Sequence, residues 1–257
     1  MIDTHAHYHH RRFNSDRKAV LESIHALGVE KVIEVPISYE SNIEVKELSD
    51  TYPWIYPAFG IHPSQVMFQR EQKVDLLINS IKSMFFEHDG VAVGEIGLDY
   101  LRIKEKEDRI IQREWFARFV ELSLEINKPL ILHVREASGD VIDILRSYHC
   151  SFSGVVHCFS EDYETAKQYL DMGLALGIGG MITYDIAEKT CDAVIKVPDD
   201  MFVLETDAPF LTPIGADGKN SSKNIPIIAQ RVSQLRGESV YDLLNKTSDN
   251  ANAIFGI

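Results

Sequence analysis

Histidines and carboxylates recur where apolar runs of this chain end. His5 and His7 lie in Asp3-Thr4-His5-Ala6-His7, His62 in Gly60-Ile61-His62-Pro63, Glu95 after Val91–Gly94, His133 after Leu130-Ile131-Leu132, His157 after Val155-Val156, and Asp207 after Leu204-Glu205-Thr206. An apolar core rejects such groups unless they are paired or bound to metal. Residues two apart on an extended segment face the same side, so His5 and His7 converge and can reach one ion. The four imidazoles of His5, His7, His133 and His157 with the carboxylates of Glu95 and Asp207 form the inventory of a two-ion hydrolytic site. There a bridging carboxylate holds two divalent ions roughly 3.5–4 Å apart, and they activate a water. Glu95 is the natural bridge, with His5, His7 and Asp207 completing one ion site and His133 and His157 the other. Mixed nitrogen and oxygen donors suit Zn²⁺, Mn²⁺, Fe²⁺ or Ni²⁺ better than Mg²⁺, which favours oxygen, so the donors do not name the ion.

Three further residues belong to the candidate site. Glu205 precedes Asp207 by two and should face the same way, orienting a ligand or water; a solvated strand-end carboxylate is the alternative. Arg135 follows His133 by two and would offer paired donors to a phosphate, unless it is spent in a salt bridge. His62 would donate a hydrogen bond to phosphate or carry a proton, unless it only shapes its His-Pro turn.

Repeated strand–helix units must position these groups. Eight apolar segments read as strands: Met1–His5, Lys31–Ile37, Ile55–Gly60, Val91–Glu95, Leu130–Val134, Gly154–Cys158, Leu174–Gly177 and Phe202–Thr206. Several are nearly continuous apolar runs, as in parallel strands covered on their outer face. Amphipathic stretches read as helices over Asp16–Leu27, Glu107–Ile126, Gly139–Tyr148, Asp162–Met172, Asn224–Leu235 and Val240–Phe255. Alternation of this kind over 257 residues implies a single (β/α)₈ TIM barrel spanning 1–257, with the metal site at the C-terminal ends of its strands. A doubly wound open sheet is less favoured, because no Gly-x-Gly-x-x-Gly follows the first strand.

Composition narrows the partners. Apolar residues make up 45% and charged residues 25%, which excludes disorder as the main state. The 26 Lys and Arg against 39 Asp and Glu leave a formal charge of −13, which argues against a broad basic face gripping nucleic acid. There is no apolar run long enough to span a membrane and no secretion signal, and three cysteines without CxxC spacing fit reduced thiols. A cytoplasmic location without a membrane or an obligate protein partner is expected.

Together, Asp3-Thr4-His5-Ala6-His7, Gly60-Ile61-His62-Pro63, Gly94-Glu95-Ile96-Gly97-Leu98-Asp99-Tyr100, His133-Val134-Arg135-Glu136, His157-Cys158-Phe159-Ser160 and Leu204-Glu205-Thr206-Asp207-Ala208-Pro209-Phe210-Leu211 resemble the TatD-family metal-dependent deoxyribonucleases, a branch of the amidohydrolase-like TIM barrels. The resemblance runs from residue 2 to the closing Asn250–Gly256 segment. It implies cytoplasmic hydrolysis of DNA phosphodiesters with two divalent ions (Mg²⁺, Mn²⁺ or Zn²⁺) held at His5, His7, Glu95, His133, His157 and Asp207. Two departures stand out. Ser64 replaces a second histidine that members often carry after the His-Pro turn, and residues 214–226 offer only Lys219 and Lys223 where many carry a basic segment.

The leading expectation is therefore a deoxyribonuclease in which water attacks phosphorus in line, with Glu95, Asp207, Glu205 and His62 in the reaction and Asp207 accepting the water's proton. Small-molecule phosphoesters, amides or lactones are alternative substrates on the same scaffold, and a non-catalytic metal-binding protein is a third reading. Two divalent ions would leave a net negative chain, so attraction for DNA must be local, at the ions, Arg135, Lys219 and Lys223. Short or single-stranded DNA, weakly held, follows as the expected partner.

Overall fold

A computed structural model describes residues 1–69 and 74–257. Eight parallel strands form one sheet in sequential order: β1 (Ile2–Ala6), β2 (Lys31–Glu34), β3 (Ile55–Phe59), β4 (Ala92–Asp99), β5 (Leu130–Arg135), β6 (Gly154–Val156), β7 (Leu174–Ile178) and β8 (Phe202–Leu204). Helices occupy the connections: α1 (Arg17–Ala26), α2 (Ser41–Thr51), α3 (Pro63–Val66), α4 (Val74–Glu87), α5 (Lys106–Ile126), α6 (Ser138–Arg146), α7 (Tyr163–Leu170), α8 (Glu188–Lys196), α9 (Ile225–Arg236) and α10 (Val240–Phe255). The outcome is a nearly closed (β/α)₈ barrel.

β1 meets β8 through few backbone contacts. Ala6 bridges Ala208, His7 N–H donates to the Ala208 carbonyl at 2.7 Å, and Asp207 N–H donates to the His5 carbonyl at 2.9 Å. Asp3 reinforces the seam. Its Oδ1 accepts from the backbone N–H groups of His5 (3.2 Å) and Thr206 (3.0 Å), and its Oδ2 accepts from the hydroxyls of Thr206 and Ser222, both at 2.6 Å. Four donors ease the burial of this carboxyl without cancelling it, and burial pushes its pKa up to about 6.

Strand parity separates two cores. Ile33, Ala58, Ala92, Ile131, Val155, Ala175 and Val203 share an inner cluster with Ala251 and Phe255 of α10. Their neighbours Leu130, Leu132, Val156, Leu174, Leu176, Phe202 and Leu204 pack outward against helix residues such as Trp115, Phe116 and Phe119 of α5. Continuing the inner parity along each strand leads to His62, His133, His157 and Glu205. β4 would break this rule, since Glu95 has the parity of outward-facing Val93. Its register shifts between Val93 and Ile96, and Ile96 and Leu98 resume the outward set, so Glu95, Gly97 and Asp99 turn inward. β1 shifts register likewise between Asp3 and Ala6. Bulges re-aim side chains in this way beside functional sites.

Several boundaries differ from the sequence expectation. β4 continues to Asp99 rather than stopping at Glu95, because Gly97, Leu98 and Asp99 pair with His133, Val134 and Arg135. β2, β6 and β8 end earlier than Ile37, Cys158 and Thr206. Near the last two ends the backbone leaves the ladder through left-handed conformations at Cys158 (φ 49°) and Asp207 (φ 59°). The helices α2, α3, α4 and α8 are additions to the sequence expectation, and α8 buries Thr190, Ala193 and Val194. Among the described residues no helix is long and apolar enough to cross a membrane.

Candidate active site

The loops and strand ends at one mouth of the barrel bring His5, His7, Glu95, His133, His157 and Asp207 together, with Glu95 at the centre. Its two oxygens face different groups. Oε2 lies 3.4 Å from His5 Nε2 and 3.8 Å from His7 Nε2, while Oε1 lies 2.7 Å from His133 Nδ1, 3.6 Å from His62 Nε2 and 4.0 Å from His157 Nε2. Asp207 Oδ1 stands 3.2 Å from His7 Nε2, 3.9 Å from His157 Nε2 and 4.0 Å from His5 Nε2. His157 stacks on His5, with ring centroids 3.5 Å apart.

The outward edges of His7 and His157 each meet an oxygen, whereas His5 Nδ1 is buried without a hydrogen-bond partner among the described residues. His7 Nδ1 donates to the Val35 carbonyl at 2.6 Å, which leaves its Nε2 lone pair facing the centre. That nitrogen is 3.2 Å from His5 Nε2. His157 Nδ1 faces Glu205 Oε1 at 2.8 Å. Converging nitrogen lone pairs and carboxylate oxygens repel one another and suit a divalent cation. His5, His7 and Glu95 offer ligand atoms within 4.8 Å of one another, as do His62, Glu95 and His133, and His5, His157 and Glu205. The donor set fits metal.

Electrostatics follow from burial and crowding. Burial disfavours charge on Glu95, but His62, His5 and His133 outweigh it and hold its pKa well below the usual value. Asp207 is lowered too, against burial, by His7, His157 and His5. Burial also opposes charge on His157, yet Glu205, Glu95 and Asp207 raise it to about 10. His62 falls to about 3 through burial and the neighbouring His133. It is therefore neutral near pH 7. Ser64 N–H donates to its Nδ1 at 3.0 Å, so the ring carries its proton on Nε2, the edge facing His133 and Glu95.

A cavity of about 270 Å³ opens over this centre. His62, Glu95, His133, His157 and Asp207 line it, with Arg135 and Arg102 as cations and Ile37, Phe210 and Leu211 as apolar wall. Glu205 does not line it; this carboxylate lies beneath His157, where it also accepts from Cys158 N–H at 2.7 Å. Lys219 is absent from the lining as well, being held by Asp16 and the Arg12 carbonyl, and exposed Lys223 does not reach the cavity either. Two contributors escaped the sequence reading. Arg102 sits in the loop after β4 with no motif to flag it. Asp99 could have been found from its spacing, since it shares a face with Glu95 and Gly97 once all three are in one strand.

Comparison with known proteins places these observations in context. A family model described as TatD related DNase matches residues 2–256. A metal-dependent hydrolase of Bacillus subtilis (strain 168), YabD, is 32% identical over 100% of this chain and 99% of its own. A protein of Rahnella sp. (strain Y9602) named 3'-5' ssDNA/RNA exonuclease TatD is 30% identical over 96% of this chain and 94% of its own. The crystal structure of the TatD homologue YJJV from Escherichia coli K12 superimposes with a TM-score of 0.89 at 28% identity, covering 100% of this chain and 98% of that one.

Proposed function

The chain belongs to the TatD-related family of metal-dependent hydrolases, enzymes of ester bonds, and from that membership we propose that it cleaves phosphodiester bonds of single-stranded nucleic acid, DNA above all, at a centre where Glu95, with His5, His7, His133, His157 and Asp207, would hold two divalent ions. The observation that carries this reading is the division of the Glu95 carboxylate, Oε2 toward His5 and His7 and Oε1 toward His133. The activity named for the Rahnella relative supports a single-stranded substrate.

His5, His7 and Asp207 would hold one ion and His133 and His157 the other, with Glu95 reaching both groups. Divalent ions at such positions, Mg²⁺, Mn²⁺ or Zn²⁺, polarise a phosphoryl oxygen and make water a nucleophile near neutral pH. The chain's own residues do the rest. Asp207, ionised and at the cavity, accepts the proton of the attacking water on a carboxylate oxygen. His62 donates a hydrogen bond from Nε2–H to a phosphate oxygen and keeps its proton, and Arg135 and Arg102 hold the remaining oxygens. Phe210 and Leu211 give the base and sugar an apolar surface and keep bulk water away. Glu205 keeps the His157 ring in place from behind. We take residues 1–257 as one catalytic unit.

A substrate panel crossed with a metal panel tests the proposal. Single-stranded DNA should be degraded faster than amides, lactones or small phosphoesters with at least one of Mg²⁺, Mn²⁺ and Zn²⁺. Faster turnover of a lactone or amide than of any nucleic acid would overturn it.

A further inference from the structure

We infer that Asp99 is a positioning residue that serves both the metal centre and the phosphate grip, by orienting His133 through one carboxylate oxygen and anchoring the Arg102 loop through the other. The inference rests on the proposed reading of His133 as a metal ligand. Asp99 is fully buried at the end of β4. Its Oδ1 accepts from Arg102 N–H at 2.9 Å. Its Oδ2 lies 3.4 Å from His133 Nε2 and 3.6 Å from Arg102 Nε. Asp99 Oδ2 and His133 Nε2 are both buried and, among the described residues, neither has a hydrogen-bond partner, so the two are left facing each other. The backbone is pinned to make the meeting possible. Asp99 pairs in register with Arg135, and Asp99 N–H donates to Gln112 Oε1 at 3.1 Å.

The chemistry follows from the two edges of one imidazole. A carboxylate behind His133 Nε2 keeps the proton on that nitrogen, so the Nδ1 lone pair is left for the centre it shares with Glu95. The same carboxylate oxygen draws the Arg102 guanidinium, whose loop is held by Oδ1, toward the cavity that Arg135 lines from β5. One residue thus aligns a ligand and a substrate cation on the same side of Glu95.

Asp99→Asn separates this role from packing, because it preserves shape. With its oxygen kept on Arg102 N–H, the new amide would point N–H at His133 Nε2 and drive the imidazole proton onto Nδ1. Zn²⁺ titration of the metal-stripped protein by calorimetry should find two ions on the parent. It should find the one on the His133 side weakened about 10–100-fold in Asp99→Asn, with the His5–His7 side retained. Arg102→Gln should keep both ions at parental affinity and raise KM for a single-stranded oligonucleotide. Two ions of unchanged affinity in Asp99→Asn would overturn the inference while leaving the proposed function standing. Loss of an ion in Arg102→Gln would also overturn it. A parent that binds fewer than two ions would remove the metal-site reading itself. The tautomer can be read on the unaltered protein: in the Zn²⁺-loaded chain, long-range ¹H–¹⁵N NMR should show His133 protonated on Nε2. A proton on Nδ1 contradicts the inference whether or not the variants fold.

Discussion

Glu205 Oε1 lies 2.8 Å from His157 Nδ1, and the carboxylate fits there because residue 177 has no side chain. A Cβ on Gly177 would stand 2.3 Å from Glu205 Oε2. The relationship links β6, β7 and β8 beneath the centre: β7 supplies space, the residue after β8 the carboxylate, and the residue after β6 the imidazole.

Gly177→Ala should therefore displace Glu205 and release His157. Overpacking of this kind costs about 1–3 kcal/mol, and the metal affinity should fall with it. Thermal unfolding and metal titration check the two effects together. A variant with parental stability and parental metal affinity would show that Glu205 does not hold His157 in place.

Arg135→Ala should raise KM for single-stranded DNA with little loss of bound metal, since Arg135 lines the cavity and sits outside the ligand groups. A charge-assisted hydrogen bond contributes about 1.5–3 kcal/mol, which corresponds to roughly 10–100-fold in kcat/KM. Steady-state kinetics on one oligonucleotide decides it. An unchanged kcat/KM would place the phosphate elsewhere.

The formal charge of −13 leaves attraction to local cations, and among the described residues Arg102 and Arg135 are those that line the cavity. Two phosphate contacts on a single strand give a slope of log affinity against log salt of about −1.4, whereas six give about −4. Binding to a catalytically inactive variant across a salt series measures it. A slope near the steeper value would reveal a basic track outside the cavity.

Asp3 makes a prediction about pH. Its folded pKa, about 6, lies above the ordinary carboxyl value of 3.8. The neutral form is thus favoured by folding, and the associated stability is complete below the unfolded pKa and lost as pH rises through 6. At about 1.4 kcal/mol per pK unit the swing is about 3 kcal/mol. Asp3→Asn does not titrate. Measured with chelator present, the stability of the parent relative to this variant should improve as pH falls from 7 to 4. A difference independent of pH would contradict the raised pKa.

The alternation of apolar runs and amphipathic stretches made the barrel legible, because parallel strands covered on both faces must be apolar and must be separated by helices. The candidate centre was legible for a related reason: polar residues at strand ends stand out against runs such as Leu130–Leu132 and Val155-Val156. Parity alone would have pointed Glu95 outward with Val93, and the bulge that turns it inward leaves no signal in residue types. Asp99 follows Glu95 by four and turns inward with it, a spacing that carries a signal only once β4 is continued to residue 99. Arg102 reaches the cavity from a loop, where periodicity carries no information. Lys219 shows the converse, a cation that reads as available in the sequence but is occupied by Asp16 in the fold.

The most direct test is the degradation of an end-labelled single-stranded DNA oligonucleotide by the parent and by Glu95→Ala, with Mn²⁺ present and bound metal measured in both. Removing the carboxylate that faces His5 and His7 with one oxygen and His133 with the other should lower the rate at least about a thousandfold, roughly 4 kcal/mol of barrier, and reduce bound metal below two ions per chain. Degradation at equal rates by the two proteins would contradict a centre built on Glu95.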